Sequence, residues 1–139
     1  IALKRGDLDM LQLRGGTKGL RKADGGVGQS ISVQSLGRWR LTGEICDGKC
    51  LSGAMRPGRG LSHKACANFC LRGGIPPVFV SSAPVEGRNF FLMGTLDDKA
   101  LPSEVLNHVA TYISVEGVVE RHGAMHIFKI DLASVEYAK

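Results

Sequence analysis

The residues best suited to chemistry in this 139-residue chain are four cysteines and one histidine that share a single segment, residues 46–77. No cysteine lies outside that segment. Thiolates and imidazoles bind metal ions, and thiols also form disulfides or act as nucleophiles. The sequence therefore predicts a metal-binding or disulfide-bonded site built from Cys46, Cys50, His63, Cys66 and Cys70.

A short helix is predicted to position the downstream half of this cluster. Ser62 is a favourable N-cap and Gly73 a favourable residue after the last turn, which predicts a helix over residues 63–72. The histidine and the last two cysteines are then spaced i, i+3 and i+7, which places them on one helix face. The first two cysteines lie upstream, in a run predicted to be extended.

One chemistry for the cluster is metal binding. Three thiolates and one imidazole, here Cys50, His63, Cys66 and Cys70, form a common tetrahedral zinc set. An iron–sulfur cluster with one histidine ligand and a copper ion are also compatible with these donors. None of the spacings matches a standard zinc ribbon or ferredoxin motif, so the sequence does not select one metal.

Two disulfides are the competing chemistry. The number of cysteines is even, and the segment is rich in loop residues. Cys66 and Cys70 stand one helical turn apart, with Cβ atoms about 6 Å apart, farther than a bridge allows. Each would therefore pair with Cys46 or Cys50 and stabilise the fold by roughly 2–4 kcal/mol. Reactive free thiols are a third alternative. Our prediction is the disulfide-stapled loop, with the metal site as the alternative.

The elements around the cluster are mostly strands. Alternating or apolar patterns predict five of them, over residues 38–45, 78–81, 89–95, 112–120 and 125–130. A second helix is predicted over residues 102–110. This order predicts a mostly β fold, a five-stranded OB-fold-like barrel with one short helix between strands 1 and 2 and another between strands 3 and 4. Another small barrel or a sandwich is the alternative.

The first 30 residues differ from the rest in composition. Residues 14–28 contain six glycines, and the only apolar cluster, residues 8–13, is long enough for one turn. We therefore divide the chain into a glycine-rich basic arm, residues 1–30, which we expect to be extended, and an OB-like domain, residues 31–139, with the Cys/His-rich insertion 46–77.

Charge is distributed unevenly along the chain. Residues 1–72 hold 13 of the 18 Lys and Arg and 5 of the 13 Asp and Glu, a net charge of +8, whereas the remainder carries −3. A basic face binds acidic partners or is simply solvated. Aromatic residues make up only 6%, which argues against a stacking platform for nucleic acid. The residues predicted to contact a partner are Arg14, Lys18, Arg21, Lys22, Arg56 and Arg59.

Enzymatic function is not expected. The chain has no G-x-S-x-G, P-loop, dinucleotide-binding or C-x-x-C motif, and its three other histidines are scattered. No apolar run approaches the roughly 18–20 residues needed to span a bilayer. The chain begins at Ile1 rather than at Met, from which we expect a processed form that has lost a leader or a membrane anchor.

The segment G-E-I-C-D-G-K-C, R-P-G-R-G, S-H-K-A-C-A-N-F-C and G-G-I-P-P resembles a signature of small exported bacterial proteins, which are mostly uncharacterised. Their pattern is G-E-I-V-D-x-x-C, a glycine-rich loop, H-x-x-C-A-x-x-C and G-[IL]-P. The resemblance covers residues 39–82, is diffuse over residues 83–135 and is absent over residues 1–30. Cys50, His63, Cys66 and Cys70 match the pattern, whereas Cys46 stands where the family has an aliphatic residue.

That resemblance implies an OB-like fold, export to the periplasm and genes close to those of respiratory or redox proteins. We therefore expect a non-catalytic accessory subunit that docks to protein subunits of a larger, membrane-associated respiratory or photosynthetic complex. The alternative is a metal-binding protein that holds zinc, copper or an iron–sulfur centre. A third function is single-stranded nucleic-acid binding by an OB face.

Overall fold

The computed structural model describes residues 1–5, 8–13, 15–22, 24–26, 28 and 30–138 of the chain. Within these residues most of the regular structure is β. In chain order the strands are β1 (Ala2–Arg5), β2 (Leu8–Leu11), β3 (Val33–Asp47), β4 (Pro77–Val85), β5 (Arg88–Thr95), β6 (Tyr112–His122), β7 (Met125–Ile130) and β8 (Glu136–Tyr137). Two helices, α1 (Lys64–Arg72) and α2 (Val105–His108), lie between strands. Among the described residues, no helix combines the length and apolar composition needed to cross a membrane.

Five strands form a closed barrel. They are ordered β3-β4-β5-β7-β6, and β6 pairs again with β3 to close the sheet. The β5–β7 pair is parallel, and the other pairs are antiparallel. The sixth strand of the sheet, β8, pairs with β6 outside the barrel. The prediction of a mostly β barrel is confirmed at this level.

Strand β3 is the one that closes the barrel. Its residues from Val33 to Glu44 pair with β6, and those from Gly43 to Asp47 pair with β4. The two pairings overlap at Gly43 and Glu44. At Gly43 an added Cβ would collide with the carbonyl oxygen of Val80. A glycine is therefore required where the sheet meets itself.

The interior of the barrel is aromatic and β-branched. The ring of Phe128 packs edge-to-face against those of Phe79 and Phe91, with centroids 5.3 Å and 6.2 Å apart. Ile45 and Val115 are fully buried beside them. Burial of such side chains is the main force that stabilises a barrel of this size.

A second apolar cluster lies on the other side of the sheet. It consists of Cys46, Leu51, Val78 and Val80, with Phe90 and Leu92 packed against it. Because successive strand residues face opposite sides of a sheet, Cys46 on β3 points away from Ile45 and the barrel interior. The loop that follows β3 covers this cluster through Leu51.

The N-terminal segment contains a hairpin rather than the single apolar turn predicted for residues 8–13. Strands β1 and β2 pair antiparallel, with Ala2 opposite Leu11 and Leu3 opposite Met10. A 3-10 turn follows at Gly16–Gly19. Among the described residues from 20 to 32, no helix or strand forms.

The two helices are shorter than predicted. The tight turn Leu61–His63 precedes α1, so His63 rather than Ser62 occupies the N-cap position of this helix, and its side chain makes no capping hydrogen bond. At the other end, the Gly73 N–H donates to the carbonyl of Phe69 at 3.0 Å. The second helix, predicted over residues 102–110, is a single turn at Val105–His108.

Candidate metal centre

The loop that carries the site begins where β3 ends. The carboxylate of Asp47 accepts a hydrogen bond from the backbone N–H of Cys50 at 2.7 Å, which caps the wide helical turn Cys50–Ala54. Gly58 then folds back onto that turn with φ +70°, and a Cβ there would collide with the Cys50 carbonyl. Local hydrogen bonding and a glycine thus fix the position of Cys50 against the barrel.

Three cysteine sulfurs converge at this turn. The Sγ atoms of Cys50, Cys66 and Cys70 all lie within 4.8 Å of one another. Cys66 and Cys70 come from one face of α1, as their spacing predicts, and Cys50 approaches from the loop. Cys50 is buried, whereas the two helix cysteines are half-buried. The site is therefore closed on the barrel side and accessible on the helix side.

A buried carboxylate–histidine pair adjoins the sulfurs. Nε2 of His63 lies 3.1 Å from the second carboxylate oxygen of Asp47, and both side chains are almost wholly excluded from solvent. Together with Cys50 they form a second group of potential ligands, again within 4.8 Å of one another. Cys50 is thus shared by the sulfur group and by the Asp47–His63 group.

The protonation of the thiols follows from their surroundings. Burial raises the pKa of Cys50 well above the ordinary thiol range, and the hydrogen bond and charge of Asp47 raise it further. Burial also raises the pKa of Cys70, and the charge of Asp47 adds to this shift. Both thiols are therefore neutral at physiological pH until a cation replaces their protons.

One further sulfur touches the group. Sδ of Met55 lies 3.6 Å from Sγ of Cys66, and 47% of the Met55 side chain is exposed. Met55 immediately follows the turn that carries Cys50. The loop and the helix thus bring four sulfur atoms to one location.

Cys46 is separated from this location. Its thiol donates to the carboxylate of Glu44 at 3.5 Å, and its side chain belongs to the apolar cluster on the outer face of the sheet. Burial and the neighbouring Glu44 charge raise the pKa of Cys46 above its ordinary range. Of the five Cys/His residues predicted to share one site, the structure brings Cys50, His63, Cys66 and Cys70 into the two overlapping groups, whereas Cys46 lies outside both.

The predicted disulfides are absent. All four cysteines are free thiols, so the loop is not stapled by covalent bonds. Non-covalent contacts of Glu44 hold the loop instead. One carboxylate oxygen accepts from the backbone N–H of Gly60, and the other lies 3.6 Å from Nε of Arg59. A buried carboxylate with charged and backbone donors is an effective anchor.

The basic residues predicted to bind a partner fall in two places. Lys18, Arg21 and Lys22 are exposed in the N-terminal segment, and Arg14 lies outside the described residues. Arg56 and Arg59 lie in the loop, where they line a cavity of about 420 Å³ whose wall also includes Lys4 and Ser52.

Two residues of the site escaped the sequence analysis. Asp47 stands three residues before Cys50, which is the spacing of an N-cap and its partner N–H, and this signal could have identified it. Met55 carries no such local signal, because its contact with Cys66 depends on how the loop folds onto α1. The chain matches no protein-family model, no curated protein and no solved structure.

Proposed function

We propose that this chain is a metal-binding protein whose centre is formed by Cys50, Cys66 and Cys70. The observation that carries this proposal is the convergence of their three sulfurs within 4.8 Å, as free thiols. Two sulfurs bound to one tetrahedral metal at about 2.3 Å are separated by about 3.8 Å. Small side-chain adjustments therefore suffice for all three to bind one ion.

The surroundings suit such a centre. A metal ligand is usually oriented by a hydrogen-bonded partner, and a carboxylate that holds a histidine is the commonest such arrangement. Asp47 contacts both the His63 ring and the backbone of Cys50. We assign Asp47 the role of fixing these two residues beside the ion, with His63 as a ligand or as a neighbour of the ligands.

Metal loading of the 139-residue chain tests the proposal. The reduced protein is incubated anaerobically with Zn(II) or Cu(I), desalted, and examined by native mass spectrometry and elemental analysis. We expect one metal per chain, and loss of it in Cys50→Ser, Cys66→Ser and Cys70→Ser. Cys46→Val is the matched control, because it removes a buried thiol outside the centre and should retain the metal. A metal-free protein whose mass is about 4 Da low, the value for two disulfides, would overturn the proposal.

We also propose that the barrel is an OB-fold. Support comes from the strand order, which in barrel numbering is 1-2-3-5-4 with closure of strand 4 on strand 1. In an OB-fold the loop between strands 1 and 2 is a ligand-binding loop. Here that loop, between β3 and β4, carries the cysteines. An experimental structure in which β5 and β7 do not pair would contradict this assignment.

A second proposed function is docking to a larger, membrane-associated redox complex as an exported accessory subunit. The supporting observation is a pair of exposed apolar side chains beside the cysteines. Phe69 on α1 is 80% exposed, and Leu61 just before it is 69% exposed. Large exposed apolar side chains are frequent at protein interfaces. Chromatography of detergent extracts from cells that express the chain is the test, with Phe69→Ser expected to release it from a high-mass fraction. Elution of the wild type as a monomer would contradict docking.

A further inference from the structure

We infer that the centre is a copper(I) site and that the thioether of Met55 is its fourth ligand. This inference rests on the proposed metal-binding function and adds the identity of the metal and of one ligand. It starts from the contact between Met55 and Cys66, in which Sδ and Sγ lie 3.6 Å apart.

That distance has the value expected for two ligands of one ion. Two sulfurs about 2.3 Å from a tetrahedral metal stand about 3.8 Å apart. The Cys66 thiol, which donates to Sδ of Met55, is therefore already close enough to it for the pair to form one edge of a coordination tetrahedron. The thiols of Cys50 and Cys70, within 4.8 Å of Cys66, would supply the remaining corners.

His63 is the competing fourth ligand. Its Nε2 is in contact with the Asp47 carboxylate at 3.1 Å, and its neighbours in the ligand grouping are Asp47 and Cys50. It therefore lies at the buried, Asp47 side of Cys50. Met55 instead contacts Cys66, one of the two half-buried cysteines, and is itself 47% exposed.

The donor set determines the metal class. Thiolate and thioether sulfurs are soft ligands that select Cu(I), whereas Zn(II) takes thiolate, imidazole or carboxylate and gains little from a thioether. A site of three thiolates alone can bind either Cu(I) or Zn(II). The thioether is thus the feature that distinguishes a cuprous site from a zinc site in this chain.

The exposure of Met55 also gives the site a route for metal transfer. Cys50 is buried beneath the loop, but Met55 is open to solvent and Cys66 is half-buried. A weak, exposed ligand can dissociate while three thiolates retain the ion. We therefore place ligand exchange with a donor or acceptor of Cu(I) at the Met55 side.

The test compares Met55→Leu with Met125→Leu in the reduced 139-residue chain. Met125 is the matched control, since it is exposed to a similar degree, 43%, and lies on β7. Cu(I) affinity is measured by competition with bicinchoninate, and Zn(II) affinity by competition with a chromogenic chelator. We expect Met55→Leu to lower Cu(I) affinity roughly tenfold. This is the low end of the roughly 10- to 100-fold loss of affinity that follows removal of a residue supporting a metal site. Its Zn(II) affinity should be unchanged, and Met125→Leu should match the wild type for both ions. X-ray absorption should show four copper–sulfur bonds in the wild type and three in Met55→Leu.

The outcomes separate this inference from the proposed function. If the wild type binds Cu(I) through its cysteines and Met55→Leu binds equally well, the inference is wrong and the thiolate centre stands. Equal losses of Cu(I) and Zn(II) affinity in Met55→Leu would also overturn it, because they indicate a structural role for the side chain. If the wild type binds neither ion, the proposed function itself fails.

Discussion

The carboxylate of Asp47 lies 3.1 Å from Nε2 of His63, and the same side chain accepts the backbone N–H of Cys50 at 2.7 Å. Asp47, buried at the end of β3, thus positions both His63 and Cys50 beside the proposed metal. The relationship links the last residue of the barrel strand to the turn and to the start of α1.

Asp47→Asn tests this relationship directly. The amide oxygen can still accept from Cys50, so the turn should persist, but the negative charge that orients His63 is removed. We expect metal affinity to fall roughly 10- to 100-fold, measured by chelator competition. Asp97→Asn, in the turn after β5, is the control and should bind as the wild type does. Unchanged affinity in Asp47→Asn would show that the carboxylate has no part in the centre.

Gly58→Ala tests the packing of the loop on Cys50. The substitution combines a positive φ with a Cβ that collides with the Cys50 carbonyl. We expect the free energy of unfolding to drop by about 1–3 kcal/mol, measured by urea denaturation. Gly87→Ala is the control, because Gly87 has φ +76° and no atom lies near the added Cβ. It measures the cost of the positive φ alone, about 1 kcal/mol. Equal losses in the two variants would show that the collision is relieved at no cost.

Phe128→Ala tests the barrel core. Phe128 is fully buried between Phe79 and Phe91, so its truncation leaves a cavity. We expect a loss of about 3–5 kcal/mol in the free energy of unfolding. Phe69→Ala removes the same ring from an exposed position and should change stability by no more than about 0.5 kcal/mol. A large loss in Phe69→Ala would mean that this ring packs against the domain in solution.

Glu120→Gln tests the polar network on the outer face of β6. The hydrogen bonds from His122 at 2.8 Å and Lys129 at 2.9 Å hold the pKa of Glu120 below its ordinary value. A lowered folded-state pKa stabilises the fold above the unfolded value of about 4.3, and the gain is lost as pH falls through the folded pKa. We expect the variant to be less stable than the wild type by about 1–2 kcal/mol at pH 7. The difference should shrink as the pH falls below about 4.3 and on through the folded pKa, which thermal unfolding at pH 7 and at successively lower pH measures. Glu104→Gln, at an exposed position before α2, is the control, and its stability difference from the wild type should not vary in this way with pH. If the stability difference for Glu120→Gln were the same at every pH, the ionised form of Glu120 would not be its cause.

Local patterns predicted the barrel strands well. The alternation in Y-I-S-V-E-G-V-V-E and M-H-I-F-K-I corresponds to β6 and β7, whose inward residues Ile113, Val115 and Phe128 are fully buried. The exception is Trp39 on β3, which alternates with polar neighbours in R-W-R-L and by that pattern would share the buried face of Leu41. It is 40% exposed, and its indole N–H donates to the carbonyl of Leu36 at 2.8 Å.

The site could be predicted only in part. Helical spacing was sufficient to place Cys66 and Cys70 together, because it depends on one element. The separation of Cys46 from Cys50 depends on where β3 ends, and Asp47 ends it by capping the next turn. An even number of cysteines suggested bridges, but the fold places Cys46 on the outer sheet face beside Glu44. Where a strand ends, and what covers the side chains on its outer face, is set by tertiary structure and leaves no periodic pattern.

The closure of the barrel through β3 also limits how this centre can be transplanted. A synthetic peptide of residues 46–77 would contain every cysteine, yet it would lack most of β3 and all of β4 beyond Pro77, and with them the pairing that ends at Asp47. The same holds for grafting the segment into an unrelated protein, where only a host strand ending in a comparable register could present the turn. The geometry of the cysteines therefore depends on the barrel, and the sequence motif alone is a poor guide to function in other folds.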